Sequence, residues 1–354
     1  MTEKQKMFVF VGSYAESATS GVYTYEFDEK ESTLRLLDQT SGLKNPTFLN
    51  VDVANSHIYA IGETEPTDGS AKGGEVMMIR FDEDGTLTRF NRTNTTPTTT
   101  CHVQRDSENR FLVVSSYHGG SAGLISIKEN GHVGELLDVQ THQSPDGTAS
   151  RVHSAFFSPD EKFLLVQDLG LDLIRTYSID REAGRLVPHG DTHAAKGAGP
   201  RHLAFHPGGK FAFVINELNS TIASYRYDSL TGSLSEIEVV PTLPADYTGE
   251  NGCSEIAVSA DGRFVYGANR GHDSIVVYAF DEASEKLSLV EHVSTEGGHP
   301  RHFALTPSGD HLLAANRDAN NIVVFKVDKE SGRLTFTGNS VSVSKPVCVR
   351  PYYV

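Results

Sequence analysis

The chain has no tryptophan, only three cysteines and only four methionines among 354 residues. The missing tryptophan removes any repeat built on a Trp-Asp dipeptide. The cysteines, Cys101, Cys253 and Cys348, are far apart and odd in number. They form neither a disulfide framework nor a CxxC metal site, and they read as small buried residues in a reducing cytoplasm. Positive charge is also short: 31 Lys and Arg face 46 Asp and Glu, a formal net charge of −15. Such a field repels polyanions, so nucleic acid and anionic membranes are not expected partners. No apolar run approaches the roughly 18–20 residues of a membrane helix. The opening MTEKQKMFVFVGSY has only about five apolar residues behind its lysines, too few for a secretory core. It reads as a first strand, and export is not expected.

What is present is a repeat. GPRHLAFHPGGKFAFVINELNS, from Gly199, matches HPRHFALTPSGDHLLAANRDANN, from His299, without a gap through Asn216 and Asn316. GCSEIAVSADGRFVYGANRGHDS, from Gly252, lies between them, and weaker copies begin at Asn45, Thr100 and Ser150. A first copy, MFVFVGSYAESATSGVYTYEFD, lacks its opening strand. Second-strand anchors Phe8, Ile58, Phe111, Phe163, Phe211, Phe264 and His311 recur at intervals of 47 to 53 residues. Each unit supplies four alternating apolar segments punctuated by Gly, Pro and Asp, as in HLAFH, KFAFVI, IASYRYD and LSEIEVV of the fifth. The expectation is an all-β, seven-bladed β-propeller with four-stranded antiparallel blades, forming a single domain over residues 1–354. The C-terminal SKPVCVRPYY resembles KNPTFLNV and is expected to supply the strand that the first unit lacks, which closes the ring and removes an edge.

This geometry predicts where chemistry gathers. Strand one lines the central channel and strand two runs antiparallel to it, so the start of one and the end of the other meet at one mouth. The strand-one starts are Cys101-His102, His153-Ser154, Arg201-His202, Ser254-Glu255 and Arg301-His302. The strand-two ends are Ser13-Tyr14, Glu63-Thr64, Ser116-Tyr117, Asp168-Leu169, Asn216-Glu217, Asn269-Arg270 and Asn316-Arg317. The first member of each strand-two pair is a small or acidic polar residue in every unit and reads as a scaffold cap. The second member varies and is free to serve a site. The variable positions predict an anion-binding pocket with acid-base capacity. Arginine forks grip carboxylate or phosphate, and histidine and glutamate move protons near neutral pH. His202 and His302 could equally be satisfied residues packed between blades, and Glu217 could equally be a salt-bridge partner of Arg201 or Arg270.

The PRH-x4-P-x-G repeat start, the strand ends NEL and NRD and the GRL turn resemble the seven-bladed lactonase family over essentially the whole chain. That family includes propeller-type 6-phosphogluconolactonases and the fungal 3-carboxy-cis,cis-muconate cyclase. The resemblance to the cyclase implies a catalytic set of His153, Glu217, Arg201 and Arg270. His102, His202, Arg301, His302, Arg317 and Tyr117 are expected to contact substrate around it. The implied reaction is hydrolysis of an anionic sugar lactone by base-activated water, with lactonising cyclase chemistry or a non-catalytic scaffold as alternatives. No cofactor or metal is expected. Nothing demands a partner chain, so a monomer or weak homodimer is expected.

Overall fold

The computed structural model describes residues 5–64 and 72–354. Seven four-stranded antiparallel sheets stand in a ring as blades, with no helix among the described residues. In blade one the inner strand is Pro346–Tyr353, paired antiparallel with Met7–Ser13, so the C-terminus closes the ring as expected. The inner strands of blades two to seven are Leu49–Asp52, His102–Arg105, Val152–Phe157, Pro200–Phe205, Gly252–Val258 and Pro300–Leu305. Six anchor residues lie in second strands, and Phe163 falls one residue before its strand.

The core sits between blades. Second strands are apolar on both faces because each face packs on a different neighbour. In blade five, Phe211, Phe213 and Ile215 join Val265, Tyr278 and Phe280 of blade six. The intervening Ala212 and Val214 face the other way, into a cluster with Leu165 and Ile174 of blade four. The ring seam is made alike: Met7, Val9 and Val11 pack with Leu313 and Val324 of blade seven. Outer strands are tied across blades by side-chain oxygens that accept a backbone N–H of the next blade. Asp38 takes Leu87 at 2.7 Å, Asp138 takes Leu186 at 2.9 Å and Glu291 takes Leu334 at 2.7 Å.

One local feature positions the site. In blades four to seven the inner strand begins ahead of the site residue: that of blade five starts at Pro200, where the sequence pattern HLAFH places its start at His202. In blade five, Pro200 pairs with Asn216 and His202 with Ile215, so Arg201 is an extra residue in a β-bulge. Arg301 is bulged in the same register in blade seven, and His153 in blade four. In blade six Cys253 pairs with Asn269 and Ile256 with Gly267, which leaves Ser254 and Glu255 opposite Ala268. A bulge bends the strand and re-aims a side chain, and here it does so at one end of the channel in four blades.

Candidate active site

At that channel end lies a cavity of about 250 Å³ to which every blade contributes. Its walls include Tyr14, Thr47, Glu63, Cys101, Tyr117, His118, His153, Glu217, Arg270 and Arg301. Glu217 follows the second strand of blade five; its backbone N–H donates to the Gly199 carbonyl at 2.7 Å. Arg270 ends the second strand of blade six, and its Nη2 lies 2.9 Å from Glu217 Oε2. Nε of Arg201 lies 2.9 Å from the same oxygen, an ionic contact without hydrogen-bond alignment. Glu217 Oε1 makes no hydrogen bond with any described residue.

The arginines are themselves anchored. Arg201 donates to the Ser254 carbonyl through Nη1 and is almost wholly buried. It stands behind Glu217 and is absent from the cavity wall. Arg270 donates to the carbonyls of Gly252 at 3.0 Å and Cys253 at 2.7 Å. Arg301 is different. Its guanidinium lies 5.9 Å from the Tyr14 ring centroid and forms no ion pair or hydrogen bond with any described residue. On the cavity wall, Glu217 is thus held by two fixed cations, Arg270 beside it and Arg201 behind it, while Arg301 has no carboxylate partner among the described residues.

Burial and charge set the protonation states. Burial pulls Arg201 down to about 9, helped by Arg270 and Arg301, so it stays protonated at neutral pH. Burial alone would raise Glu217, but Arg201 and Arg270 outweigh it and hold the carboxyl below its ordinary value. His153 is pushed well below the usual histidine value by burial and then by Arg201, so its imidazole is neutral, and its buried Nδ1 has no partner. Cys101 also lines the cavity, but burial lifts its thiol to about 11 and its Sγ lies 3.1 Å from the His153 carbonyl, so it is not a thiolate nucleophile.

The expected site residues separate into two layers. His102, His202 and His302 are not on the cavity wall. They lie beneath it, buried, with the ring of His202 5.1 Å from that of His153. Glu255 bridges two of them, 3.0 Å from His202 Nδ1 and 3.0 Å from His302 Nε2. Phe48 stacks into the same layer, 4.3 Å from His102. A single mouth for both members of each strand-one pair is thus corrected. The bulged residue turns to the cavity end and the next residue turns into the channel. Arg317 also stands apart from the wall, held by Asp318 at 2.6 Å and by His299 Nδ1 at 3.2 Å. Tyr117 is on the wall, 6.0 Å from the His153 ring.

Sequence reasoning passed over several wall residues. Tyr14 and Cys101 occupy repeat slots already marked as converging, so position was their signal. Glu63 sits in the slot read as a scaffold cap. It does cap, accepting from Asn45 Nδ2 at 2.9 Å, but it also reaches the cavity. The other six members of that slot are buried and hydrogen-bonded, as Asn269 is to the Thr242 carbonyl at 2.8 Å. Thr47 carried no chemical signal. Among the described residues no three His, Cys, Asp or Glu side chains are placed to hold a metal ion. None of the described helices is long and apolar enough to cross a membrane, since the described residues contain no helix.

Known proteins resemble this chain in sequence and fold. The model of the family described as "Lactonase, 7-bladed beta-propeller" matches residues 8–351. A 6-phosphogluconolactonase of Bacillus subtilis is 36% identical over 98% of each chain. One from Formosa agariphila is 30% identical, covering 86% of this chain and 88% of its own. The solved structure of a periplasmic gluconolactonase from Pseudomonas aeruginosa superposes with a TM-score of 0.91 at 29% identity over 99% of both chains. With its seven blades, its strand-swapped closure and a match running almost end to end, the chain belongs to the seven-bladed β-propeller lactonase family, a family of lactone hydrolases.

Proposed function

We propose that the protein hydrolyses a sugar lactone, 6-phosphogluconolactone before others, with Glu217 as general base. The observation that carries this reading is the unmatched Arg301 in a cavity whose one clamped carboxylate, Glu217, keeps a free oxygen. Glu217 Oε1 takes a proton from water, whose oxygen attacks the lactone carbonyl carbon. The ring C–O bond then breaks, and the leaving alkoxide receives the proton back, giving the open hydroxy acid. As Glu217 is neutralised, its negative charge reappears on the carbonyl oxygen within the same cluster of Arg270 and Arg301. Charge moves from a carboxylate that is already paired to an oxygen beside cations already in place, so a buried site need not reorganise. His153 as base would create an imidazolium beside Arg201 and Arg301, the cations that already depress it. It serves better as a neutral hydrogen-bonding group. Arg201 acts through Glu217, as a positioning residue. Three free cysteines fit the cytoplasm as the compartment, and a monomer suffices because one chain supplies every wall residue.

The test is hydrolysis of freshly prepared 6-phosphogluconolactone against its uncatalysed decay. Wild type should exceed background clearly. Glu217→Gln should lose about 10²–10⁴-fold in kcat, the usual contribution of a general base. A Glu217→Gln enzyme within tenfold of wild type removes Glu217 as base. No acceleration by wild type removes this substrate, and carboxymuconate cyclisation becomes the next assay.

A further inference from the structure

Of the eighteen arginines in the chain, sixteen have a side-chain hydrogen bond or ion pair to another described residue. The two without one are Arg301 and Arg151. Both stand over a tyrosine, and both tyrosines line the cavity: Arg301 is 5.9 Å from Tyr14, and Arg151 is 5.3 Å from Tyr117. An acidic chain that pairs nearly every arginine side chain has left two unpaired, and both stand over tyrosines of one cavity.

Arg151 is not on the cavity wall; it stands behind Tyr117, which is. Its backbone N–H donates to Asp168 Oδ1 at 2.7 Å, and its carbonyl accepts from Leu169 at 2.9 Å. Gly170 lies against its stem; a Cβ there would stand 2.8 Å from Arg151 Cγ. The aromatic face beneath the guanidinium steadies it without using its donors, which remain free for an anion. The cavity volume of about 250 Å³ is below the 300–1,000 Å³ of ordinary ligand pockets, so it suits a single sugar ring whose substituent emerges at the rim. With Arg301 committed to the carbonyl end, we infer that Arg151 over Tyr117 forms a separate subsite for a phosphate monoester on the far end of the lactone. Arg151 is then the residue that separates phosphorylated from unphosphorylated substrates. This inference rests on the lactonase reading for the orientation of the substrate.

Binding of the stable open-chain products tests it, with 6-phosphogluconate and gluconate titrated calorimetrically at low salt into wild type, Arg151→Ala and Arg151→Lys. Wild type should prefer the phosphorylated acid by about tenfold or more, the scale of one charge-assisted contact. Arg151→Ala should lose most of that preference, and Arg151→Lys should keep part of it as a point charge. The same variants should lower the ratio of kcat/KM for the phosphorylated over the unphosphorylated lactone. Thermal melts confirm that the variants are folded. A preference unchanged in Arg151→Ala overturns the subsite, as does a wild type that does not discriminate. If neither lactone is hydrolysed but Arg151→Ala still abolishes the binding preference, the subsite stands and the reaction assignment falls.

Discussion

Two adjacent layers of the channel are built from neighbouring residues of the same chain, yet they behave differently. The upper layer holds Cys101, His153 and Arg301 on the cavity wall, with Arg201 reaching Glu217 from behind. The lower layer holds His102, His202, His302 and Glu255, sealed from solvent around Phe48. Arg201 and His202 are consecutive, as are Arg301 and His302, so one step along the chain separates a site from a core. The bulge causes the split: an inserted residue turns outward to the channel end while the strand resumes its pleat behind it. The lower layer is a buried core of neutral imidazoles in which Glu255 lies 3.0 Å from both His202 and His302.

The comparison can be broken by substitutions that should hit one layer and spare the other. The largest effect is expected from Arg201→Ala, which strips Glu217 of one of two buried partners. Breaking such a pair costs about 3–5 kcal/mol, and kcat should fall with it as Oε2 loses its anchor. Arg201→Lys should restore stability before it restores kcat, because a point charge replaces the pairing but not the fork geometry. A variant with wild-type kcat would show that Glu217 needs no positioning.

Next comes Glu255→Ala. It leaves the Nδ1 of His202 without its hydrogen-bond partner, at about 1–3 kcal/mol, and removes the carboxylate that lies 3.0 Å from His302 Nε2. Denaturant midpoints should fall while KM for the lactone stays near wild type. A large KM change with little loss of stability would instead put the lower layer in contact with substrate.

The pH axis reports the buried imidazoles of both layers. His102 and His202 lie well below the ordinary histidine value and His302 is pushed down to about 3, in each case by burial first. These rings are neutral in the fold but take protons in the unfolded chain below about 6.5. Stability should therefore decline as pH falls from about 6.5, by up to about 1.4 kcal/mol per pH unit for each such histidine, His153 included. Glu217 has linkage of the same sign in a lower pH window. Its depressed folded value contributes stability above the ordinary carboxyl range, and that is lost only as pH falls through the folded value. Denaturant titrations between pH 7 and 5 should be dominated by the buried histidines, and a flat profile there would refute their neutral burial.

Cys101→Ser should have the smallest effect. The thiol lines the cavity but is held protonated, so kcat should stay within about twofold and thiol reagents should act slowly at neutral pH. Fast inactivation by iodoacetamide would contradict that state.

Much of this molecule is legible without coordinates. The anchors from Phe8 to His311 count the blades because each blade must bury both faces of an apolar second strand. The likeness of SKPVCVRPYY to an opening strand states the closure. Position within the repeat also marks Glu217, Arg270, Arg301 and His153 as converging, because antiparallel pairing puts strand-one starts and strand-two ends together. The division between layers was not legible. Period-two reading assumes an unbroken pleat, and PRHLAF gives no local sign that Arg201 is bulged, so His202 and Arg201 were assigned to the same mouth. Arg317 misled for a related reason: its slot matches that of Arg270, but its neighbour Asp318 supplies a carboxylate where Arg270 is followed by Gly271.

Sequence by itself determined the number of blades, the order in which they close and the residue types brought to one end of the channel. Those follow from apolar periodicity and repeat spacing, which are local properties of the chain. Tertiary structure alone decided which arginines are matched and which remain free. Arg201 meets Glu217 from the slot sixteen residues before it, Arg270 meets the same oxygen from the next blade, and Arg301 and Arg151 meet no carboxylate among the described residues. Pairing of charges depends on distances of a few ångströms between residues brought together by ring closure, and a one-residue bulge is enough to change each of them.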